Sequence, residues 1–255
     1  MAYFMRVHTI ARNAVRPSYF SVMAHKVYLR ARYGIDRERQ AATSWAAGHT
    51  VDMNAWADRL NSDLWAESLK FAEEMETSLR PRVDELAALG IDLGGGGCHE
   101  LLYFLTRLRR PRTVLETGVA AGWSTTALLT AIRDNGDGRL FSSDFPYFRL
   151  ADPERYVGYL VPDEIKGPWT LHTKGDRRNL DLILRPGVTV DLVHYDSDKS
   201  RGGREFFFRR VAAHLAPDAI IVMDDINDNL VFRERAGSHF RVFEYHGKYV
   251  GLMGS

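Results

Sequence analysis

The sequence predicts an α/β fold: a doubly wound sheet of mainly parallel strands with helices on both faces. Two observations carry this. From His99 onward, short apolar runs of strand length alternate with stretches of helical periodicity. Small and acidic residues of the turn-forming kind close each apolar run.

Before that point the chain reads as helical, so a helical N-terminal extension or cap (residues 1–97) is expected ahead of the α/β domain (98–255). Trp65, Leu69, Ala72, Met75 and Leu79 mark one apolar face, with Glu67, Lys70, Glu73 and Glu74 largely opposite. Arg80-Pro81 can break that helix or begin another, because proline lacks the N–H a helix interior needs. Gly94 to Gly97 is a loop, read as a hinge, a connector or a backbone surface close to a ligand.

Glu100 to Leu108 then reads as a helix, Thr113 to Glu116 as the first strand, and Trp123 to Ile132 as the next helix. The turn Asp134-Asn135-Gly136-Asp137-Gly138 leads into a second strand, Arg139 to Ser143. Strands three to five are expected at Trp169–Thr173, Val190–Tyr195 and Ala219–Met223. Phe207, Phe208, Val211, Ala212 and Leu215 share a helical face between the last two. The tail, Phe240–Tyr245, then His246-Gly247, then Lys248–Met253, reads as a β-hairpin.

Composition bounds the function. A chain of 255 residues, 45% of them hydrophobic, can bury one sizeable core or one domain with a helical extension. A formal charge of +1 gives no general pull toward nucleic acid. The single cysteine, Cys98, excludes an internal disulfide framework and a cysteine-rich zinc site. No apolar run is long enough to span a bilayer and no signal-peptide core is visible, so a cytoplasmic protein is the expectation.

The charge is uneven. Met1 to Ile35 holds no acid but carries Arg6, Arg12, Arg16, Lys26, Arg30 and Arg32, with Phe20, Met23, Ala24, Val27 and Tyr28 at helical spacing. This reads as a helix packing on the main domain, or on a sister subunit of a homo-oligomer, with a solvated basic edge. Peripheral contact with a membrane surface or another anionic partner, or a transit peptide, are the competing readings.

The most informative stretch is Val114-Leu-Glu116-Thr-Gly118-Val-Ala-Ala-Gly122-Trp123-Ser124-Thr125. A strand runs into a small-residue turn and then a helix. Glycines let the backbone turn sharply and let a ligand come close, and the helix start offers unpaired N–H groups. The acid at Glu116 disfavours a pyrophosphate and suits a ligand with positive charge or free hydroxyls. The window lacks two of the three glycines of the dinucleotide fingerprint.

On Glu116, Gly118 and Gly122 the chain resembles the class I S-adenosylmethionine-dependent methyltransferases, whose first motif spaces an acid and two glycines in this way. The resemblance covers roughly Cys98 to Met253. It implies a Rossmann-like, doubly wound seven-stranded sheet: strands one to five parallel, closed by the C-terminal antiparallel hairpin. It also implies a cofactor site of Glu116, Gly118, Gly122, Trp123 and Ser124, with Asp144, Gly175 and Asp176 at the next two strand ends. Asp144 is placed to accept hydrogen bonds from ribose hydroxyls. At Asp176 the family uses an acid for the adenine amino group.

Strand four ends in His194-Tyr195-Asp196-Ser197-Asp198-Lys199 and strand five in Met223-Asp224-Asp225-Ile226-Asn227. Adjacent parallel strands would gather Asp196, Asp224 and Asp225, which cannot crowd together ionised without a cation or a proton. Mg²⁺, or alternatively Mn²⁺ or Ca²⁺, prefers such oxygen ligands. Here the chain resembles the metal-dependent O-methyltransferases, and its Asp-x-Asp and Asp-Asp are similar to those of the macrocin- and noviose-type sugar enzymes. That resemblance implies methylation of a hydroxyl on a saccharide, a glycosylated metabolite or a polysaccharide.

Two residues compete as the base that takes the hydroxyl proton. Asp198 matches the second acid of the sugar-enzyme pattern, and Lys199 the lysine of catechol-type enzymes. Asp198 is preferred, and a base at Lys199 would favour a catechol or phenol acceptor instead. A non-catalytic protein keeping the cofactor pocket is the third reading, which the acidic cluster argues against. The long connection from Phe145 to Gly167 reads as a lid or binding loop in which Tyr147 and Tyr156 could stack on a sugar. Asn227 could bond substrate hydroxyls, and His194 is read as a core histidine.

Overall fold

A computed structural model of the chain describes residues 38–94 and 97–254, together with Phe20, Ala24 and Tyr28. Most of the basic N-terminal segment, including every one of its six cations, lies outside the described residues, as do Gly95 and Gly96.

Seven strands form one sheet in the order β3-β2-β1-β4-β5-β7-β6. They are β1 (Thr113–Thr117), β2 (Arg139–Ser143), β3 (Trp169–His172), β4 (Val190–Tyr195), β5 (Leu215–Met223), β6 (Phe240–Tyr245) and β7 (Lys248–Met253). β1 to β5 are parallel, and β7 runs antiparallel to both β5 and β6. The expected α/β sheet with its closing hairpin is therefore present. β5 begins earlier than its apolar run, at Leu215, and its pairing with β4 is irregular between Val190 and Leu192.

Alternation along the strands builds two cores. Val114, Leu140, Leu192, Ile220 and Val222 face one side; Leu115, Val193, Ile221 and Met223 face the other. Helices α2 (Met53–Ala88), α3 (His99–Arg109) and α4 (Trp123–Asn135) cover the first face. Helices α1 (Arg39–Ala47), α5 (Asp176–Ile183), α6 (Arg201–Val211) and α7 (Val231–Arg235) cover the second. Trp56, Trp65, Met75, Leu79 and Leu86 of α2 lie in the same core as the strands, so this helix is a packing layer of the sheet.

Two expectations about α2 change. The helix continues through Pro81 to Ala88, and its break falls at Asn61, whose backbone is extended (φ −166°, ψ 96°). Leu69 is exposed, because the buried stripe runs through Trp65, Ser68, Met75 and Leu79 and Leu69 lies beside it.

Candidate active site

The register of the sheet sets the site. Thr117 is level with Ser143 and Tyr195, Ser143 with His172, and Tyr195 with Met223. The next residue along three of these strands is Gly118, Asp144 and Asp196, and Asp224 follows on the fourth. Their N–H groups close the ladder onto Ser143 O (2.8 Å), His172 O (2.9 Å), Thr117 O (2.8 Å) and Tyr195 O (3.0 Å) respectively. The acids named from the sequence thus share the carboxyl edge of the sheet, where open α/β folds bind their ligands.

A cavity of about 850 Å³ opens on that edge, lined among others by Gly118, Trp123, Ser124, Asp144, Gly175, Asp176, Asp196, Asp198 and Lys199. Gly118 has φ +87°, and a Cβ there would stand 2.4 Å from the Asp196 carbonyl oxygen, so the neighbouring strand end admits glycine alone. Gly122, at φ +102°, caps α4, but a Cβ there would meet Val161 and Gly158. Its requirement is packing under the 145–167 connection, and it does not line the cavity.

Glu116 also departs from expectation. It is fully buried, away from the cavity wall, and accepts hydrogen bonds from Ser124 Oγ (2.7 Å), Thr125 Oγ1 (2.8 Å) and Ser142 Oγ (2.7 Å). It fixes the turn and the start of α4 and does not line the cavity. Asp144 accepts from the N–H groups of Ala120 (2.8 Å) and Val119 (3.2 Å) through one oxygen and from Phe145 N–H (2.6 Å) through the other. Burial pushes its carboxyl up to about 6 against the pull of those amides. Asp176 accepts from Ser143 and Ser197 hydroxyls, both at 2.6 Å.

The acidic trio is not gathered around one point. Lys199 lies between Asp196, at 3.0 Å, and Asp225, with which it makes a short ion pair. Asp224 faces His194, whose two ring nitrogens lie 3.8 Å from Glu116 Oε1 and 3.7 Å from Asp224 Oδ1. Burial would strip His194 of its proton, but the two carboxylates outweigh it and hold the ring charged. Among the described residues no three acids, histidines or cysteines surround a common point closely enough to hold an ion. This corrects the expected convergence of Asp196, Asp224 and Asp225. The chemistry of the donors still suits a hard cation: the Lys199 ammonium already stands between two of the acids, and Asp224 Oδ1 is buried without a hydrogen-bond partner.

Of the two base candidates, Asp198 lines the cavity and accepts from Ser200 N–H (3.0 Å). Lys199 is desolvated, yet Asp196 and Asp225 raise its proton affinity, so in this arrangement it is an ammonium. Tyr147 lines the cavity, and its hydroxyl donates to Leu93 O (3.3 Å). Tyr156 is buried in the core, with its ring 6.2 Å from that of Tyr159, and does not reach the cavity. Asn227 donates to Thr43 Oγ1 (3.3 Å), which ties it to α1, and it does not line the cavity.

Arg204 was not anticipated. It is fully buried, and its guanidinium donates to Asp224 O (3.1 Å), Asp225 O (2.7 Å) and Asn229 Oδ1 (3.3 Å), fixing the loop after β5. Its signal was an arginine on the same helical face as Phe207 and Val211. Gly97 is a second such residue: a Cβ there would meet Asp224 Oδ2 at 2.4 Å.

The parallel sheet closed by an antiparallel hairpin is an α/β architecture shared with solved methyltransferases. Residues 115–226, somewhat under half of the chain, match the family model described as a methyltransferase domain. No curated protein matches the chain. Among solved structures, the chain is similar to the O-methyltransferase TomG from Streptomyces achromogenes, solved with S-adenosylmethionine (18% identity, 74% of this chain and 90% of that one, TM-score 0.53). It is also similar to the O-methyltransferase from Bacillus cereus solved with S-adenosylhomocysteine (16% identity, 70% and 91%, TM-score 0.55). A candidate caffeoyl-CoA O-methyltransferase from Staphylococcus aureus aligns at 10% identity over 75% of this chain and 99% of that one, with a TM-score of 0.54.

Proposed function

We propose that the protein is an S-adenosylmethionine-dependent O-methyltransferase whose acceptor is a phenolic or catechol-like hydroxyl compound. The observation that carries the reading is the single cavity joining the glycine turn, Asp144 and Asp176 to Asp196, Asp198 and Lys199. About 850 Å³ lies in the upper part of the ordinary range for ligand sites, which suits a nucleoside-sized donor together with a small acceptor. Trp123, Phe145, Tyr147, Phe148 and Phe206 on its walls offer faces on which a flat aromatic acceptor can stack. The similar structure described as a candidate caffeoyl-CoA O-methyltransferase supports the same reading. A saccharide is the second reading, supported by Asp198 standing two residues from Asp196 on the cavity wall.

The sulfonium methyl is already electrophilic, so the chain has to orient a hydroxyl and remove its proton. Orientation can account for roughly 7–11 kcal/mol in favourable intramolecular cases. In this proposal Asp198 accepts the proton and the Lys199 ammonium stabilises the oxyanion that forms. Asp196 and Asp225, which flank the Lys199 ammonium, would be the residues to hold a divalent ion in its place. Such an ion supplies polarisation of the acceptor oxygen when bound.

Mass spectrometry of a mixed phenol and sugar panel, incubated with the donor with and without Mg²⁺, tests the assignment. A gain of one methyl on phenols is expected; methylation of sugars alone would replace the first reading by the second, and no methylated product at all would reject both. Lys199→Met is expected to raise Mg²⁺ affinity in calorimetry and to lower turnover by roughly 10²-fold or more. An unchanged affinity would show that Lys199 does not compete with an ion.

A further inference from the structure

A second hollow of about 410 Å³ adjoins the main cavity. Val83, Leu86 and Ala87 from the last turns of α2 line it, together with Ile91 and Leu160. Four residues, Leu93, Gly94, Ala121 and Trp123, line both cavities, so the two share one wall. The Trp123 ring in that wall is held by a stack on His99, with centroids 5.4 Å apart. The Leu93 carbonyl is tied to the other side of the main cavity by the Tyr147 hydroxyl.

The hollow has one ionisable side chain, Asp92, and a carboxylate oxygen of Asp92 already accepts from Gly94 N–H at 2.8 Å. Its other walls are aliphatic, aromatic or glycine. The nucleoside and amino-acid parts of a sulfonium donor need hydrogen-bond partners, which this hollow does not supply and the strand ends do. Water there is poorly partnered too, so an apolar group that displaces it gains free energy.

We infer that the acceptor carries an apolar substituent, an alkyl or aryl group on the hydroxyl-bearing ring, and that this substituent seats in the hollow between α2 and Trp123. The inference rests on the reading of the main cavity as the methyl-transfer site. It adds the substrate class: a hydroxylated aromatic with a hydrophobic arm.

Calorimetry with 4-methyl-, 4-butyl- and 4-hexylcatechol, in the presence of S-adenosylhomocysteine, tests the inference by binding alone. Affinity is expected to rise about three- to fourfold per methylene placed in the hollow. Val83→Phe, which fills the hollow from a half-buried position, should remove that gain while leaving 4-methylcatechol affinity within about twofold. Leu86→Ala, which enlarges the hollow, should move the best chain length upward. A flat series, or a gain that survives intact in Val83→Phe, overturns the inference. Mass spectrometry of the same samples with S-adenosylmethionine reads the transfer separately: tail-dependent binding without methylation would keep the hollow and reject the reaction.

Discussion

At the scale of single residues, the site depends on backbone more than on side-chain identity. Gly118 sits at φ +87° with the Asp196 carbonyl 2.4 Å from where a Cβ would be, so Gly118→Val must displace the end of β4 or the turn itself. Calorimetric affinity for S-adenosylmethionine is expected to fall more than tenfold; an unchanged value would remove the donor from this turn. Asp144 gives a pH signature. Its carboxyl is raised by burial from 3.8 to about 6. A raised acid holds its proton longer in the folded state, so its contribution to stability is greatest at low pH and falls as pH rises from about 4 to about 6. Donor binding should run oppositely, weakening as pH drops below about 6 and the carboxylate is lost as an acceptor. Asp144→Asn should flatten that profile in titrations between pH 5 and 8, a range set by the raised value.

Among elements, α1 is attached by charge and by aromatic packing. Arg201 of α6 pairs with Glu38 at 2.9 Å, Glu234 at 2.7 Å and Glu205 at 3.2 Å. Glu38 in turn accepts from Leu230 N–H at 3.2 Å, while Trp45 packs against Phe232 and Phe240. The ion pairs are partly exposed, so solvent screening leaves the network worth about 1 kcal/mol. Arg201→Ala is expected to lower Tm by roughly 2–4 °C, less at high salt, with little change in donor affinity. A salt-independent loss would assign the effect to packing of the arginine stem.

For the whole molecule, α2 is one wall of the fold. Trp56, Trp65 and Leu86 share a core with Phe104, Leu128 and the strands, and α2 also forms the hollow beside the main cavity. Calorimetric unfolding should therefore show one cooperative transition covering α2 and the sheet. Two resolved transitions would make the helical segment a separate unit.

The strands, their order of appearance and the row of acids at their ends were legible in the sequence, because strand periodicity and turn chemistry are local properties. So were Gly118, Asp144, Asp176, Asp196 and Asp198, which the turns past the strand ends carry to the cavity wall. Which of the other candidates stay away from the cavity was not legible. Glu116 is claimed by three hydroxyls from β2 and α4. Tyr156 is claimed by the core, and Asn227 by Thr43. Lys199 and His194 share the neutralisation of the acids that spacing alone assigned to an ion. The alternation of apolar and turn residues by itself determined the architecture, since each strand and helix answers to its own periodicity. Which carboxylate meets a ligand and which meets a neighbour was decided by tertiary structure, because hydrogen-bond partners far apart in the chain compete for the same oxygen and only the packed sheet settles who reaches it.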